Sequence, residues 1–296
     1  ASLFEAVWAQ EARGRDAAQT VLHRFREQAL VGAAEAPVVD RGYKNPNDMF
    51  DARVYQKAGF MLHVLMERMG EDAFWRGVMA YLTRFRHQPV ETHDFRRVME
   101  AEYGGSLERF FYDWTEREDQ PRIHIEYAWD AGAGSAKIEI RQKQEGDPFE
   151  LPLEFEIEDT GGTVTRKTCL LDEKSKSLDV KFSSEPRRVS FDPRQLVFGD
   201  IKIDMPRALW VAELAGGSSV SGRIRAAKEL GESKSPEDVA VLAAQLAAQP
   251  WHAVASVIAE QLVKADTPEA RAALMKGLEA RDPRIRRVVL FGSLAT

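Results

Sequence analysis

The chain has 296 residues, of which 44% are hydrophobic and 30% charged, with a net charge of −6. This is material for a sizeable core, and the acidic balance argues against a nucleic-acid-binding surface as the main function. No apolar run approaches the roughly 20 residues needed to span a bilayer, and the single cysteine, Cys169, leaves neither an internal disulfide nor a cysteine-based zinc cluster.

Residues 1–120 read as helices and loops. A first helix covers Leu3 to Arg13 and stops at Gly14. Asp16 is placed to cap a second over Ala17 to Leu30. Residues 32–52 form a long loop rich in turn chemistry (Pro37, Gly42, Asn45-Pro46-Asn47-Asp48). Loops of that length are uncommon and often functional. This one leads into Tyr55, which opens a helix apolar almost all the way round, and so a central one. Gly70 ends it. Glu71 to Phe85 follows, with Phe74, Gly77, Val78, Tyr81, Leu82 and Phe85 at helical spacing. Thr92 and Ser106 are predicted caps of two more helices, the second carrying Leu107, Phe110, Phe111 and Trp114.

From about Arg122 to Asp204 the period becomes two. Ile123-Ile125-Tyr127, Ile138-Ile140, Leu151-Leu153-Phe155-Ile157, Val164 to Leu171, Leu178-Val180-Phe182 and Val189-Phe191 predict about seven short strands in an antiparallel sandwich. From Pro206 the pattern is helical and repeats. Ser235-Pro236-Glu237 and Thr267-Pro268-Glu269 are matching helix starts 32 residues apart. At that offset Leu242 meets Leu274, Leu246 meets Leu278, Val257 meets Val289 and Leu262 meets Leu294. Arg223-Ile224-Arg225 and Arg284-Ile285-Arg286 hold equivalent places. A period near 30 in paired helices marks an α-solenoid similar to HEAT repeats.

No complete active site is visible in motifs. None of His23, His63, His87, His93, His124 and His252 lies four residues from another, and there is no His-Glu-x-x-His. His87, Glu91 and His93 fall around Pro89, in a loop and a helix start, without converging as ligands. His63 reads as a satisfied core histidine and Cys169, in an apolar strand, as an inert buried thiol. The arginines at the ends of the repeat helices read as solvated.

A series of blocks does carry a resemblance. Tyr55-Gln56-Lys57-Ala58-Gly59, Gly70-Glu71-Asp72-Ala73-Phe74, Gly77 with Tyr81-Leu82, Thr92 with Asp94-Phe95, and Leu107 with Phe110-Phe111 and Trp114 stand in an order that resembles the M1 (gluzincin) zinc aminopeptidases. Ala1 to Trp8 is similar to the stretch after that family's third zinc ligand. The resemblance implies a multidomain α+β architecture. Residues 1–120 would be the all-helical C-terminal part of a thermolysin-like catalytic domain, 121–204 the β-sandwich and 205–296 the HEAT-like tail.

It also implies a role for Tyr55, as the phenol that donates to the oxyanion of the reaction. Lys57-Ala58-Gly59 departs from the usual Lys-Gly-Ala order. The zinc ligands and the block that holds the substrate's amino end are absent. The chain is therefore expected to be a piece of a longer zinc aminopeptidase that acts on peptides. The piece itself is expected to be inactive, to bind no catalytic zinc, and to expose a helical face that invites self-association. The alternative is a non-catalytic, M1-like scaffold that uses the repeat tail for protein contacts.

Overall fold

A computed structural model describes residues 2–33 and 36–294, with side chains left aside at 33 and 292–294. Ala1 and the side chain of Leu294, which figure in the N-terminal block and in the pairing with Leu262, lie outside that description.

The chain begins with α1 (Ser2–Arg13) and α2 (Arg15–Ala33), separated only by Gly14 at φ 84°. The amides of Ala17 and Ala18 both bond to the Gly14 carbonyl, so the second helix restarts directly from the glycine. Asp16 is thereby inside the first turn rather than a cap. After α2 come a 3-10 turn at Pro46–Met49, a π-helical turn at Arg53–Lys57, then α3 (Ala58–Met69), α4 (Glu71–Arg84), α5 (Thr92–Tyr103) and the short α6 (Glu108–Phe111). α3 is the central helix expected: Phe60, Met61, Val64 and Leu65 are all buried. α5 is capped by Glu91, whose side chain and that of Asp94 exchange backbone bonds, and not by Thr92. Ser106 does accept from the amide of Glu108. The α4 stripe is only partly covered: Phe74 is buried, but Leu82 is 56% exposed.

Seven strands follow: β1 (Arg122–Asp130), β2 (Ser135–Gln142), β3 (Leu151–Glu158), β4 (Val164–Leu171), β5 (Ser175–Lys181), β6 (Arg188–Phe191) and β7 (Asp200–Asp204). They form two sheets, ordered β5-β2-β1-β7 and β4-β3-β6. All pairs are antiparallel except β1 with β7. The chain crosses to the second sheet for β6 before it returns, so β7 enters the first sheet running the same way as β1. β3 is buried on both faces. Leu151, Leu153, Phe155 and Ile157 face apolar neighbours. Glu154, Glu156 and Glu158 are buried too, each paired to arginine.

Six helices follow among the described residues: α7 (Arg207–Gly216), α8 (Val220–Ser233), α9 (Pro236–Ala248), α10 (His252–Ala265), α11 (Pro268–Gly277) and α12 (Pro283–Leu294). α10 packs on both α8 and α12, and α9 on α11. Ser235 and Thr267 are the N-caps read from sequence, accepting from the amides of Asp238 and Ala270. Leu242 and Leu274 are both buried, as are Ile224 and Ile285.

The arginines before and after Ile224 overturn the solvated reading. Arg223 is buried, and it donates to Asp16 on α2 at 2.9 Å and to Gln249 at 3.1 Å. Arg225 is largely buried beside Arg26, and desolvation lowers its pKa to about 10. The cause is α2, which lies across α8. Gln19 accepts from Val220 N at 2.8 Å, Lys228 reaches Glu27 at 2.8 Å, and the Trp251 indole donates to Thr20 at 2.8 Å. No helix among the described residues is long and apolar enough to cross a membrane.

Candidate active site

Tyr55 does not open an α-helix. It lies in the middle of the π-helical turn Arg53–Lys57, just ahead of α3, and is 41% exposed. Wide turns of this kind recur at functional positions. The side chains two residues to either side tie this turn to the preceding loop. The Arg53 guanidinium donates to Asp51 at 2.6 Å, Asp40 at 2.8 Å and the Asp48 carbonyl at 2.9 Å. Lys57 points inward and is 2% exposed. Its ammonium donates to the Ala36 carbonyl at 2.7 Å. Burial, aided by the charge of Arg53 and opposed by Asp119, lowers its pKa to about 8. The long loop is therefore held at both ends around Tyr55.

The apolar blocks of the sequence meet beneath that turn. Phe198, from the segment before β7, lies 5.7 Å from the Lys57 ammonium, 6.0 Å from Phe60 and 6.2 Å from Trp114. Trp114 stacks on Phe149 at 5.5 Å. It belongs to a second π-helical turn, Tyr112–Glu116, whose Thr115 carbonyl accepts from Val39 of the loop at 2.8 Å. Four residues after Tyr55, Gly59 abuts the start of α1: a Cβ there would come within 2.7 Å of the Ser2 Cβ. The small pair Ala58-Gly59 thus lets the N-terminus of α1 approach the helix that Tyr55 precedes. An open cleft of about 670 Å³ runs beside the turn, lined by Pro37, Asp40, Arg53, Glu118, Asp119 and Arg122 among others. Tyr55 is not among its lining residues.

Residues 4–114 match the peptidase family M1 domain. That stretch holds the turn, α3 and the Phe110-Phe111…Trp114 block. Aminopeptidase M1-A of Oryza sativa subsp. japonica is 22% identical over 120 residues, covering 40% of this chain and 13% of the relative. Aminopeptidase N of Caulobacter vibrioides is 29% identical over 112 residues, covering 38% of this chain and 13% of the relative. The crystal structure of Legionella pneumophila aminopeptidase A in complex with aspartic acid superposes with a TM-score of 0.73 at 15% identity, over 98% of this chain and 36% of that one. The superposition speaks for the fold. The chain spans only a minor part of the length of each of these relatives.

The other candidates separate cleanly. His63 is buried, with Nε2 at 2.9 Å from the Arg194 carbonyl, and burial lowers its pKa. It is the satisfied core histidine expected. His93 is exposed between Glu91 and Asp94, at 3.4 and 3.3 Å. Cys169 is only half-buried, and desolvation raises its pKa.

Among the described residues, one group of His, Glu and Asp has the spacing of metal ligands: His124, Glu126 and Asp204. It sits on β1 and β7, not on the turn that carries Tyr55. Residues 124 and 126 share one face of a strand, a signal present in the sequence. Asp204 is 80 residues away from His124, and only the parallel pairing of β7 brings it alongside. None of the group's three members belongs to the turn Arg53–Lys57 or to the side chains that hold that turn.

Proposed function

We propose that this chain is the C-terminal portion of a zinc-dependent M1-type aminopeptidase that removes N-terminal amino acids from peptides. Its helical part would complete the catalytic domain, and the two sheets would serve as the linking β-sandwich. The last six helices would form the HEAT-like tail. What carries the reading is the fixed and exposed placement of Tyr55, within the stretch that matches the M1 domain.

In this role the Tyr55 phenol donates a hydrogen bond to the oxyanion that develops when the scissile carbonyl is attacked. A donor already in place pays no reorganisation as charge appears, and the loss of one such donor costs about 10²–10³ in kcat. Arg53 and Lys57 hold the turn that presents it. The metal ligands and the groups that grip the substrate's amino end are contributed by sequence outside this chain, so the chain alone is inactive.

The test uses both forms. The chain alone, incubated with zinc and aminoacyl chromogenic substrates, is expected to show no turnover. A longer protein that includes it is expected to turn over, and to lose about 10²–10³ in kcat on Tyr55→Phe without loss of stability. Turnover by the chain alone, or an unchanged kcat in the variant, would overturn the assignment.

A further inference from the structure

The outer face of the β5-β2-β1-β7 sheet carries two rows of opposite character. Parallel pairing sets His124 beside Lys202 and Glu126 beside Asp204. Antiparallel pairing sets Arg141 and Glu139 against the same two residues on the other side. One row therefore reads Arg141, His124, Lys202, and the next reads Glu139, Glu126, Asp204. The contacts run diagonally between strands and lengthwise within them. His124 Nε2 lies 2.6 Å from Asp204 Oδ2, Lys202 lies 3.4 Å from Asp204, and Arg141 pairs with Glu126 and, at 4.0 Å, with Glu139.

Three acids face three bases across these rows. Glu229 of α8 adds a further carboxylate within reach of Asp204, and burial, Glu232 and Asp204 raise its pKa against the pull of Arg225 and Lys202. Lys202 is exposed and Arg141 half-buried, and ion pairs this open to water are individually weak. Such partners can swing away into water.

We propose that His124, Glu126 and Asp204 form a binding site for a divalent transition-metal cation. One ligand atom from each side chain lies within 4.8 Å of the others. An imidazole with two carboxylates suits zinc or cobalt, whereas calcium and magnesium favour oxygen alone. Three protein ligands leave further positions for water. The cation would displace Arg141 and Lys202 from the two carboxylates and fasten β7, the edge strand, to β1. It would act as a structural tie at the point where the chain leaves the sheet for α7. This site is independent of the aminopeptidase reading.

The test uses the untagged 296-residue chain, freed of metal with a chelator and titrated with zinc chloride by calorimetry. One equivalent is expected to bind, and to raise the melting temperature. Cobalt in its place is expected to give visible absorption bands of a nitrogen- and oxygen-ligated ion. His124→Ala and Asp204→Asn are expected to weaken zinc at least tenfold and to abolish the thermal shift, while melting like the parent without metal. His93→Ala, beside the rival acids Glu91 and Asp94, is expected to bind as the parent does. Absence of a stoichiometric site, equal affinity in His124→Ala, or loss of binding in His93→Ala would each overturn the proposal.

Discussion

Lys57 Nζ donates to the carbonyl of Ala36 at 2.7 Å, across 21 residues of chain. The bond shuts the loop that precedes Tyr55 and places an ammonium in the interior. Burial lowers the lysine's pKa to about 8, from an ordinary value of 10.5. Between those values the folded chain has released a proton that the unfolded chain still holds. Stability therefore rises as pH increases from about 8 to 10.5, and this contribution is lost as pH falls to 8. Urea unfolding at half-unit steps over that range, compared with Lys57→Met, should show the parent gaining on the variant with pH. A difference independent of pH would show that Lys57 titrates normally.

Gly59 and Gly77 both lack room for a Cβ, but the obstacles differ. At Gly59 the obstacle is the Ser2 Cβ, fixed to the backbone of α1. At Gly77 it is the thioether end of Met99, which can swing aside. Gly59→Ala should therefore cost about 1–3 kcal/mol, in the range for overpacking, and Gly77→Ala distinctly less. Chemical denaturation of the two variants decides it. Equal costs would mean that α1 shifts freely.

The arginines beside Ile224 and Ile285 provide a contrast in burial. Arg223→Ala removes the partner of Asp16 and of the buried Gln249. It should cost about 2 kcal/mol, the range for leaving buried polar groups unsatisfied. Arg284 pairs with Asp282 at 2.7 Å in the open, its side chain 53% exposed, and its removal should cost little. If the two substitutions prove alike, α2 does not anchor the last six helices.

Phe4 at 55%, Trp8 at 57%, Met79 at 63% and Leu82 at 56% exposure share one surface of α1 and α4, joined where Phe4 meets Trp75 at 5.6 Å. Contiguous apolar surface drives association. Sedimentation velocity of the isolated chain should show oligomers that grow with concentration. Replacing Trp8 and Met79 together by Gln should reduce them. A monomer at every concentration would contradict this.

Much of the fold follows from local pattern. Gly14, Gly70 and Gly104 end helices at positive φ, and Ser235 and Thr267 start them, because caps depend on neighbours within a turn. The buried Leu107, Phe110, Phe111 and Trp114 stripe was legible for the same reason. Asp16 and Thr92 were misread as caps because several polar residues near a helix start compete for the same amides. The alternation of β3 marked Glu154, Glu156 and Glu158 as polar, but could not tell that arginines from β4, β6 and their flanking loops would cover them.

For the candidate site, residue type and order by themselves determined that Tyr55 stands at the entrance of a central apolar helix. Tertiary structure alone decided that the entrance is a π-helical turn, that Lys57 is turned inward to Ala36, and that Phe198, 141 residues beyond Lys57, forms its floor. It also decided that His124 and Asp204 stand side by side. Helical and strand periodicity arise from bonds between near neighbours, so they can be read along the chain. Contacts between residues more than a hundred positions apart depend on how whole elements cross, which is set by packing and leaves no local trace.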